Sequence, residues 1–529
     1  MNIAPIFLLI TFLSGQIPSD YLLNRSTPEN LSNGLRSNAV IDIRYGTENA
    51  LYIGTGDSLG YADITDPLSP IFYTVEDDSL PEGGVPALKT YSINADSFMV
   101  VLSGAVSTFE EADGKWHPRG SGISWSFDDG LSWHYIQQPV DEGVPGGDIN
   151  FDWFGQTLKK KVWHTTVDNV SYDVAVDIKR KYIYSTNWGG GLTRFNYENG
   201  SKQWEPVPLP MDDQDSLICG EIDEEEYYFN PIDPPDGSYN HKPFSVYAVA
   251  DTIWVGTAGG INKGIFRSDG CINWTHYNME KGLGGDWVIG IIPQQFDEYT
   301  RLWLISWISP NAPHPLTYTN DGGQTWKVVN QLFNQGIIVY NLSYSRDYIL
   351  ASTDHGVYFS DINDGIFWMK MPITSDQTGE KILTENIYSA ISIGNAEEII
   401  MLGTADGLSL ISSDRVTLDN IRFWEPASLF SAYPNPFFIN HEGYNQVGND
   451  GYVRFLYSNP NYFSGLIDIF DFAMDRVIQL NNPQTINNYE SEIIWNGRNE
   501  FGDKVANGVY FCRLSLKNQY YWTKLAVIN

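Results

Sequence analysis

The sequence has little cysteine and little positive charge, and each shortage narrows the class of protein. Its three cysteines, Cys219, Cys271 and Cys512, are too few and too scattered for a disulfide framework or a zinc ribbon. One pairing remains open, but we expect a stability that does not depend on it. The 32 Lys and Arg residues oppose 65 Asp and Glu, which gives a net charge of −33. Nucleic acids and anionic membranes need a basic footprint, so this charge argues against both partners.

Long apolar runs are also missing. The run Ile3 to Leu13 is too short to span a bilayer but has the length of a signal-peptide core, and Ser14-Gly15 supplies small residues for cleavage. We therefore predict a signal peptide over residues 1–15 and a secreted or cell-surface protein. No later stretch is long enough for a transmembrane helix, so a membrane-spanning chain is not expected.

Several catalytic motifs are absent as well. The chain contains no Gly-x-Ser-x-Gly elbow, no His-Glu-x-x-His zinc helix and no Gly-x-x-x-x-Gly-Lys-Ser/Thr loop, and its eight His residues are unpaired. No metal or other cofactor is predicted, although the acidity permits Ca²⁺ association through surface carboxylates. We interpret the densest acidic stretch, residues 212–236, as a solvated insertion.

What is present indicates an all-β chain of two or more domains. Gly (48), Pro (27) and aromatic residues (14%) are abundant in the 529 residues, while long helical periodicity is scarce. A strand-and-turn signature recurs, and its later copies follow at roughly 50-residue steps. The clear copies are 51–55, 182–186, 253–257, 348–353 and 400–404, and the weaker copies are 98–103 and 302–307. Seven copies predict a seven-bladed β-propeller over residues 36–424.

A second motif points the same way. Two segments fit Ser/Thr-x-Asp-x-Gly-x-x-Trp, and two degenerate copies follow the same frame. The motif residues are Ser126, Asp128, Gly130 and Trp133, then Thr319, Asp321, Gly323 and Trp326, then Asp269 and Trp274, then Gly365 and Trp368. This pattern resembles the Asp box of sialidase-like propellers. In that family the boxes lie away from the active site, so the resemblance implies that these residues stabilise turns and do not catalyse.

The last hundred residues form a separate unit. Short segments rich in β-branched and aromatic residues, separated by Gly, Asn and Pro, predict a small β-sandwich over residues 425–529. Its motif residues are Tyr433, Pro434, Asn435, Pro436, Trp495, Gly497, Gly508, Tyr510 and Lys524. They resemble the FlgD-type immunoglobulin-like module and the C-terminal sorting domain of type IX secretion cargo. The resemblance implies the type IX secretion machinery as a partner. A structural spacer is the alternative.

Function is less constrained than architecture. Trp153, Trp163, Trp188, Trp287 and Trp307 lie outside the Asp boxes and near predicted turns. Core packing is the better explanation for any one of them, but as a set they suggest a polysaccharide or surface-protein ligand, because exposed tryptophans stack on sugar rings or anchor a protein partner. A non-enzymatic binding or adhesion protein is the preferred hypothesis. One alternative is a secreted glycoside hydrolase of the sialidase or xyloglucanase type, although the Arg-Ile-Pro signature of sialidases is absent. A propeller sensor or scaffold is the other alternative.

Overall fold

A computed structural model gives the architecture of the chain. It describes residues 19–22, 24–25, 34–35, 37–46, 49–55, 59–76, 91–93, 99–110, 115–198, 204–308, 313–372, 382, 384–394, 398–412, 418–421, 430–439, 451–459, 464–481, 483–487, 490–516 and 519–529. The predicted signal peptide lies outside these residues. The protein is nearly all β, with 55% strand and 3% helix, as the composition predicts. Its only α-helix in the described part is Gln331–Asn334, and two 3-10 turns occupy Tyr239–His241 and Met279–Lys281.

Seven of the sheets in the described part share one plan, in which four consecutive strands are each antiparallel to the next. We name these sheets I to VII and number strands along the chain. Sheet I contains β3 Val40–Tyr45, β4 Ala50–Thr55, β5 Leu59–Asp63 and β6 Ile71–Glu76. Sheet II contains β7 Tyr91–Ile93, β8 Val100–Glu110, β9 Lys115–Ser126 and β10 Ser132–Ile136. Sheet III contains β13 Asp173–Asp177, β14 Tyr182–Asn187, β15 Gly191–Asn196 and β16 Glu205–Val207.

The other four sheets follow the same order. Sheet IV contains β19 Pro243–Val249, β20 Thr252–Thr257, β21 Gly260–Phe266 and β22 Ile272–Tyr277. Sheet V contains β23 Val288–Gln295, β24 Thr300–Ser306, β25 Leu316–Thr319 and β26 Lys327–Val329. Sheet VI contains β27 Val339–Tyr344, β28 Tyr348–Thr353, β29 Gly356–Asp361 and β30 Met369–Lys370. Sheet VII contains β31 Ile387–Ile393, β32 Ile399–Thr404, β33 Gly407–Ser412 and β34 Leu418–Ile421.

The sequence repeats coincide with the second strand of each sheet. These strands are buried along almost their whole length, because a neighbouring sheet packs on each face. The repeated Gly lets the next sheet approach closely. A Cβ on Gly256 would lie 2.5 Å from the Val288 carbonyl oxygen of sheet V, and one on Gly403 would lie 3.0 Å from the Val40 carbonyl oxygen of sheet I.

Short additional strands extend three of these sheets. β1 Ser19–Leu22 pairs with β10, β2 Asn24–Arg25 pairs with β6, and β17 Ser216–Leu217 pairs with β22. The first two precede the predicted propeller boundary at residue 36, so the β-structure begins earlier than the repeats indicated. A further three-stranded sheet combines β11 Asp148–Trp153, β12 Gln156–Lys161 and β18 Tyr228–Phe229.

The C-terminal strands form two sheets. One contains β35 Phe430–Tyr433, β37 Val453–Ser458, β41 Glu490–Trp495 and β40 Gln484–Asn487. The other contains β36 Phe437–Phe438, β43 Gln519–Ile528, β42 Gly508–Leu516, β38 Gly465–Phe470 and β39 Arg476–Leu480. Side chains of both sheets, among them Phe455, Ile493, Ile469 and Leu525, share one buried core. We call this unit the C-terminal module.

A disulfide joins Cys219 to Cys271, which is the single pairing that the sequence left possible. The two cysteines are 52 residues apart in the sequence, and the local pattern around them does not indicate that they pair. The short strand β17, two residues before Cys219, pairs with β22, which begins next to Cys271. The fold therefore brings the two thiols together. Cys512 is buried and unpaired with another cysteine.

Candidate binding face

Six aromatic side chains form a continuous series at one edge of sheets III to VII. We call this series the aromatic arc, and its members are Tyr172, Phe244, Trp287, Trp307, Tyr340 and Tyr388. Ring centroids are 5.4 Å apart for Tyr172 and Phe244, 5.9 Å for Phe244 and Trp287, 6.1 Å for Trp307 and Tyr340, and 5.4 Å for Tyr340 and Tyr388. The Trp307 amide donates to the Trp287 carbonyl oxygen at 2.8 Å, which joins the two halves. Tyr172 is 44% exposed, and the other five side chains are partly exposed to solvent.

The backbone explains why these rings face outward from strands that are otherwise buried. The strand register skips one residue between Pro243 and Ser245, between Val339 and Asn341, and between Ile387 and Ser389. The skipped residues are Phe244, Tyr340 and Tyr388. A β-bulge redirects the side chain of its extra residue, so three sheets present an aromatic ring at the same strand position.

Two insertions stand beside the arc. Residues 137–172 contribute β11 and β12, and residues 208–242 contribute β18, so the shared three-stranded sheet ties the insertions together. The acidic segment belongs to the second insertion. Its Tyr227 and Phe229 are buried in the core while Glu224, Glu225 and Glu226 are exposed, so the segment is anchored by its aromatic residues and solvated through its carboxylates.

Two further tryptophans lie on this face, Trp163 in the first insertion and Trp188 in the turn between β14 and β15 of sheet III. Trp163 and Trp188 are 39% and 42% exposed. The Trp163 Nε1 donates to Asn230 Oδ1 at 3.2 Å, and the Lys242 ammonium lies 5.3 Å from the Trp188 ring centroid. Lys242 also forms a salt bridge with Asp233. Both tryptophans are thereby held by polar groups and keep ring surface open.

The structure separates the five tryptophans that the sequence singled out. Trp163, Trp188, Trp287 and Trp307 lie on this face. Trp153 does not, because it is 3% exposed within the core and stacks on the Arg194 guanidinium at 4.7 Å. The tyrosine and phenylalanine members of the arc were missed. The only sequence signal for them is an aromatic residue just inside a first strand, and that pattern alone does not reveal a bulge.

Ionisable side chains lie near the arc on the first strands. Asp173 begins β13 and accepts hydrogen bonds from the Val246 and Val174 amides at 2.9 Å each. Burial raises the pKa of Asp173 to about 7 against the opposing effects of these amides and of Arg44, and Asp42 raises it further. Arg44 Nε in turn donates to Asp42 Oδ2 at 3.0 Å. Two carboxyl groups and one guanidinium therefore interact electrostatically here.

The Asp-box residues lie at the opposite edge of the sheets. They occupy the turns between third and fourth strands, whereas the arc lies at the edge of the turns between second and third strands. In the first box, Ser126 Oγ donates to Asp128 Oδ1 at 2.8 Å and Trp133 Nε1 donates to the Gly130 carbonyl at 3.1 Å. In the second, Thr319 Oγ1 donates to Asp321 Oδ1 at 2.8 Å. The box residues are remote from the arc.

The box also packs between sheets, which the motif alone does not indicate. Trp133, Trp326 and Trp368 each make an edge-to-face contact with an aromatic residue of the preceding sheet's second strand, at 6.3 to 6.4 Å. The partners are Tyr52, Trp254 and Trp303 in that order. Gly130, Gly323 and Gly365 have positive φ and lie against the same partners.

The degenerate boxes keep part of this geometry. Trp368 Nε1 donates to the Gly365 carbonyl at 3.1 Å, as in the first box. In sheet IV, Asp269 accepts the Cys271 amide at 3.1 Å and Trp274 is buried. Cys271, which stands where the motif has glycine, forms the disulfide with Cys219.

We predict that Asp321→Ala lowers the free energy of unfolding by about 1–2 kcal/mol, because three hydrogen bonds from Thr319 and Thr325 converge on this carboxylate. Burial opposes ionisation, but these bonds hold the pKa of Asp321 at about 2. The stabilising effect should therefore be present at neutral pH and be lost as pH falls from about 4 to about 2.

The matched control for Asp321→Ala is Asp361→Ala in the degenerate box, where the carboxylate is bonded only by Asn363. Urea unfolding of both variants at pH 7 measures the difference. A loss from Asp361→Ala equal to or above that from Asp321→Ala would contradict the assignment.

The C-terminal motif residues connect the ends of the module. Asn435 Nδ2 donates to the Lys524 carbonyl at 2.7 Å, and its Oδ1 accepts the Ala526 amide at 3.0 Å. This bond pair ties the Tyr433-Pro434-Asn435-Pro436 segment to the last strand. Trp495 Nε1 donates to the Arg498 carbonyl at 2.8 Å, beside Gly497, which has positive φ.

Two further motif residues hold the last hairpin of the module. Tyr510 Oη donates to the Ala506 carbonyl at 2.7 Å, close to Gly508 at the start of β42. The Lys524 ammonium lies 5.8 Å from the Phe511 ring centroid.

Within the described residues, no group of three or more His, Cys, Asp or Glu side chains is arranged to hold a metal ion. The same residues contain no helix with the length and apolar character needed to cross a membrane.

Comparisons with known proteins give structural neighbours only. No family model matches the chain, and no curated protein matches it. The solved structures it resembles include PorZ, a surface component of the type IX secretion system of Porphyromonas gingivalis. The two sequences are 12% identical, the match covers 93% of this chain and 66% of PorZ, and the TM-score is 0.40. The chain thus spans just under two thirds of PorZ.

Two other solved structures resemble the chain to a similar degree. The extracellular domain of the putative one-component system BT4673 from B. thetaiotaomicron has 11% identity, covers 94% of this chain and 81% of its own, and gives a TM-score of 0.33. Sqt1 of Saccharomyces cerevisiae has 11% identity, coverages of 74% and 99%, and a TM-score of 0.36. Because these scores are all below 0.5, nothing about function is taken from the neighbours.

Proposed function

We propose that the chain is an exported, non-enzymatic binding protein in which a seven-bladed β-propeller presents the aromatic arc to a carbohydrate or surface-protein ligand. The propeller is supported by the contacts of each sheet's first strand with that of the next sheet, and of β31 with β3. In this arrangement the Asp boxes hold adjacent blades together. The C-terminal module is proposed as an FlgD-like immunoglobulin domain that directs export of the protein through the type IX secretion system.

The aromatic arc is the observation that carries the binding role. Six adjoining aromatic side chains, accessible at a strand edge, are more than a core requires, because a folded core withdraws such rings from water. Aromatic surface with few charges suits the apolar faces of neutral sugar rings or an apolar protein segment. The net charge of −33 argues against an anionic ligand.

The test is a parallel assay of the full chain on insoluble neutral polysaccharides, recording both retention and release of reducing ends. Retention without release is the expected result. Release above an enzyme-free blank would overturn the non-enzymatic proposal, and neither retention nor release on any member of the panel would count against a polysaccharide ligand.

A glycoside hydrolase is a second candidate that one observation favours. Asp173 has a pKa of about 7 and interacts with Asp42 and Arg44, and a carboxylic acid with a raised pKa beside a carboxylate is the pairing that glycoside hydrolysis uses. If the chain releases reducing ends, Asp173→Asn should abolish the release while leaving retention intact. No observation favours the sensor hypothesis.

The export role has its own test. Residues 431–529 fused to a reporter should carry it to the surface of a host with type IX secretion. Asn435→Ala, which removes the bonds to the last strand, should reduce surface display, and retention of the intact fusion in the periplasm would leave the module as a spacer.

A further inference from the structure

A buried ionic cluster joins the C-terminal module to sheets VII and I. Asp406 lies in the turn between β32 and β33 and is 0% exposed, and Arg454 of β37 is 1% exposed. Arg454 Nε donates to Asp406 Oδ2 at 2.8 Å, and Tyr433 Oη donates to the same oxygen at 3.2 Å. Asn38, just before β3, donates to Asp406 Oδ1 at 3.4 Å. The Asp406 carboxylate of sheet VII thus accepts from donors of sheet I and of the module.

The cluster lies at the junction of sheets VII and I, where β31 contacts β3 and side chains of both sheets share one buried core. Sheets VII and I share no strand among the described residues, so side-chain packing and isolated hydrogen bonds hold them together. One such bond runs from the Gly407 amide to the Asn38 carbonyl at 2.5 Å. A buried carboxylate without its cation is costly, so Arg454 sets the stability of this turn.

The same turn positions the end of the aromatic arc. The Ala405 amide donates to the Asn386 carbonyl at 3.2 Å, and Tyr340 Oη donates to Asn386 Oδ1 at 3.3 Å. Asn386 is two residues before Tyr388. Hydrogen bonds therefore lead from Arg454 to Asp406, from the adjacent Ala405 to Asn386, and from Asn386 to Tyr340 of the arc, while Tyr388 follows Asn386 on the same segment.

We propose that Arg454 is a positioning residue for the aromatic arc, so that the arc keeps its full affinity only while the C-terminal module is docked on sheets VII and I. The proposal rests on the binding function proposed above and adds its regulation: detaching the module would loosen the arc. Arg454 acts through the Asp406 turn and does not touch the ligand.

The experiment is amide hydrogen exchange of the full chain, in wild type and in Arg454→Met, with Arg476→Met as the matched control. Arg476 is an exposed arginine of the same module, bonded to Glu500 at 3.4 Å. In Arg454→Met, exchange of the amides of residues 385–388 and 405–407 should accelerate by about tenfold or more. In Arg476→Met, exchange of the same amides should stay unchanged. Residues 260–266 of sheet IV are the internal reference, and their exchange should be unchanged in both variants. Exchange at 385–388 that stays at the wild-type rate overturns the proposal.

A milder variant covers the case in which Arg454→Met does not fold. Tyr433→Phe removes only the hydroxyl that donates to Asp406, and it should accelerate exchange at 385–388 by about threefold. Wild-type exchange in this variant would then overturn the proposal.

Retention on the polysaccharide panel separates this inference from the proposed function. Reduced retention by Arg454→Met supports the positioning role, and undiminished retention despite faster exchange overturns it. If wild type itself is not retained, the proposed ligand fails, and the exchange rates alone decide whether Arg454 positions the arc.

Discussion

Replacing both Cys219 and Cys271 by serine should lower the free energy of unfolding by about 2–4 kcal/mol. The disulfide closes a loop whose ends are 52 residues apart, and that constraint raises the free energy of the unfolded chain. It also anchors the acidic insertion, because β17 pairs with β22 through only two residues, Ser216 and Leu217. Thermal or urea unfolding of wild type and of the double variant measures the loss.

Reductant supplies the control for the disulfide. Wild type unfolded under reducing conditions should fall to the stability of the double serine variant, whereas the variant should not respond to reductant. Equal stability of oxidised and reduced wild type would show that the bridge contributes nothing.

Asp173→Asn should change the pH dependence of stability by about 2–4 kcal/mol between pH 4 and pH 8. The carboxyl has a pKa of about 7 in the folded protein, raised by burial from an ordinary value of 3.8. As pH rises from 4 to 7, the unfolded chain ionises at this residue before the folded protein does, so the folded protein loses stability over that window. Asparagine does not ionise, and the variant should gain on wild type as pH rises.

The control for Asp173→Asn is the same substitution at an exposed carboxylate. Asp213→Asn, in the acidic insertion, removes one carboxylate at an exposed position and is the matched control for the loss of a charge. Urea midpoints at pH 4, 6 and 8 give the three curves. Parallel curves for wild type and Asp173→Asn would contradict a raised pKa at Asp173.

The sequence predicted those features that depend on local pattern. The Gly-Thr repeats mark second strands because a strand buried on both faces needs apolar residues throughout and a glycine where the next sheet approaches. The all-β class followed from the same turn and strand composition, and it is confirmed. The motif of the C-terminal module also falls where the chain needs turns and ties between distant strands.

Features that depend on distant contacts were not predictable from one sequence. The pairing of Cys219 with Cys271 and the joining of two insertions into one sheet are set by tertiary structure. The arc depends on β-bulges at Phe244, Tyr340 and Tyr388, and no residue type at these positions indicates a bulge. The sequence did not distinguish the buried Trp153 from the more exposed tryptophans, because a buried and an exposed tryptophan near a turn have the same local sequence character.

The central claim is that the aromatic arc is the binding face, and a comparison of dissociation constants tests it most directly. The ligand is the neutral polysaccharide that wild type retains most strongly, and the variants are Tyr340→Ala in the arc and Tyr520→Ala, an exposed tyrosine of the C-terminal module. We expect Tyr340→Ala to weaken binding by about tenfold and Tyr520→Ala to leave it unchanged. Unchanged binding by Tyr340→Ala, or equal losses from both variants, would contradict the account.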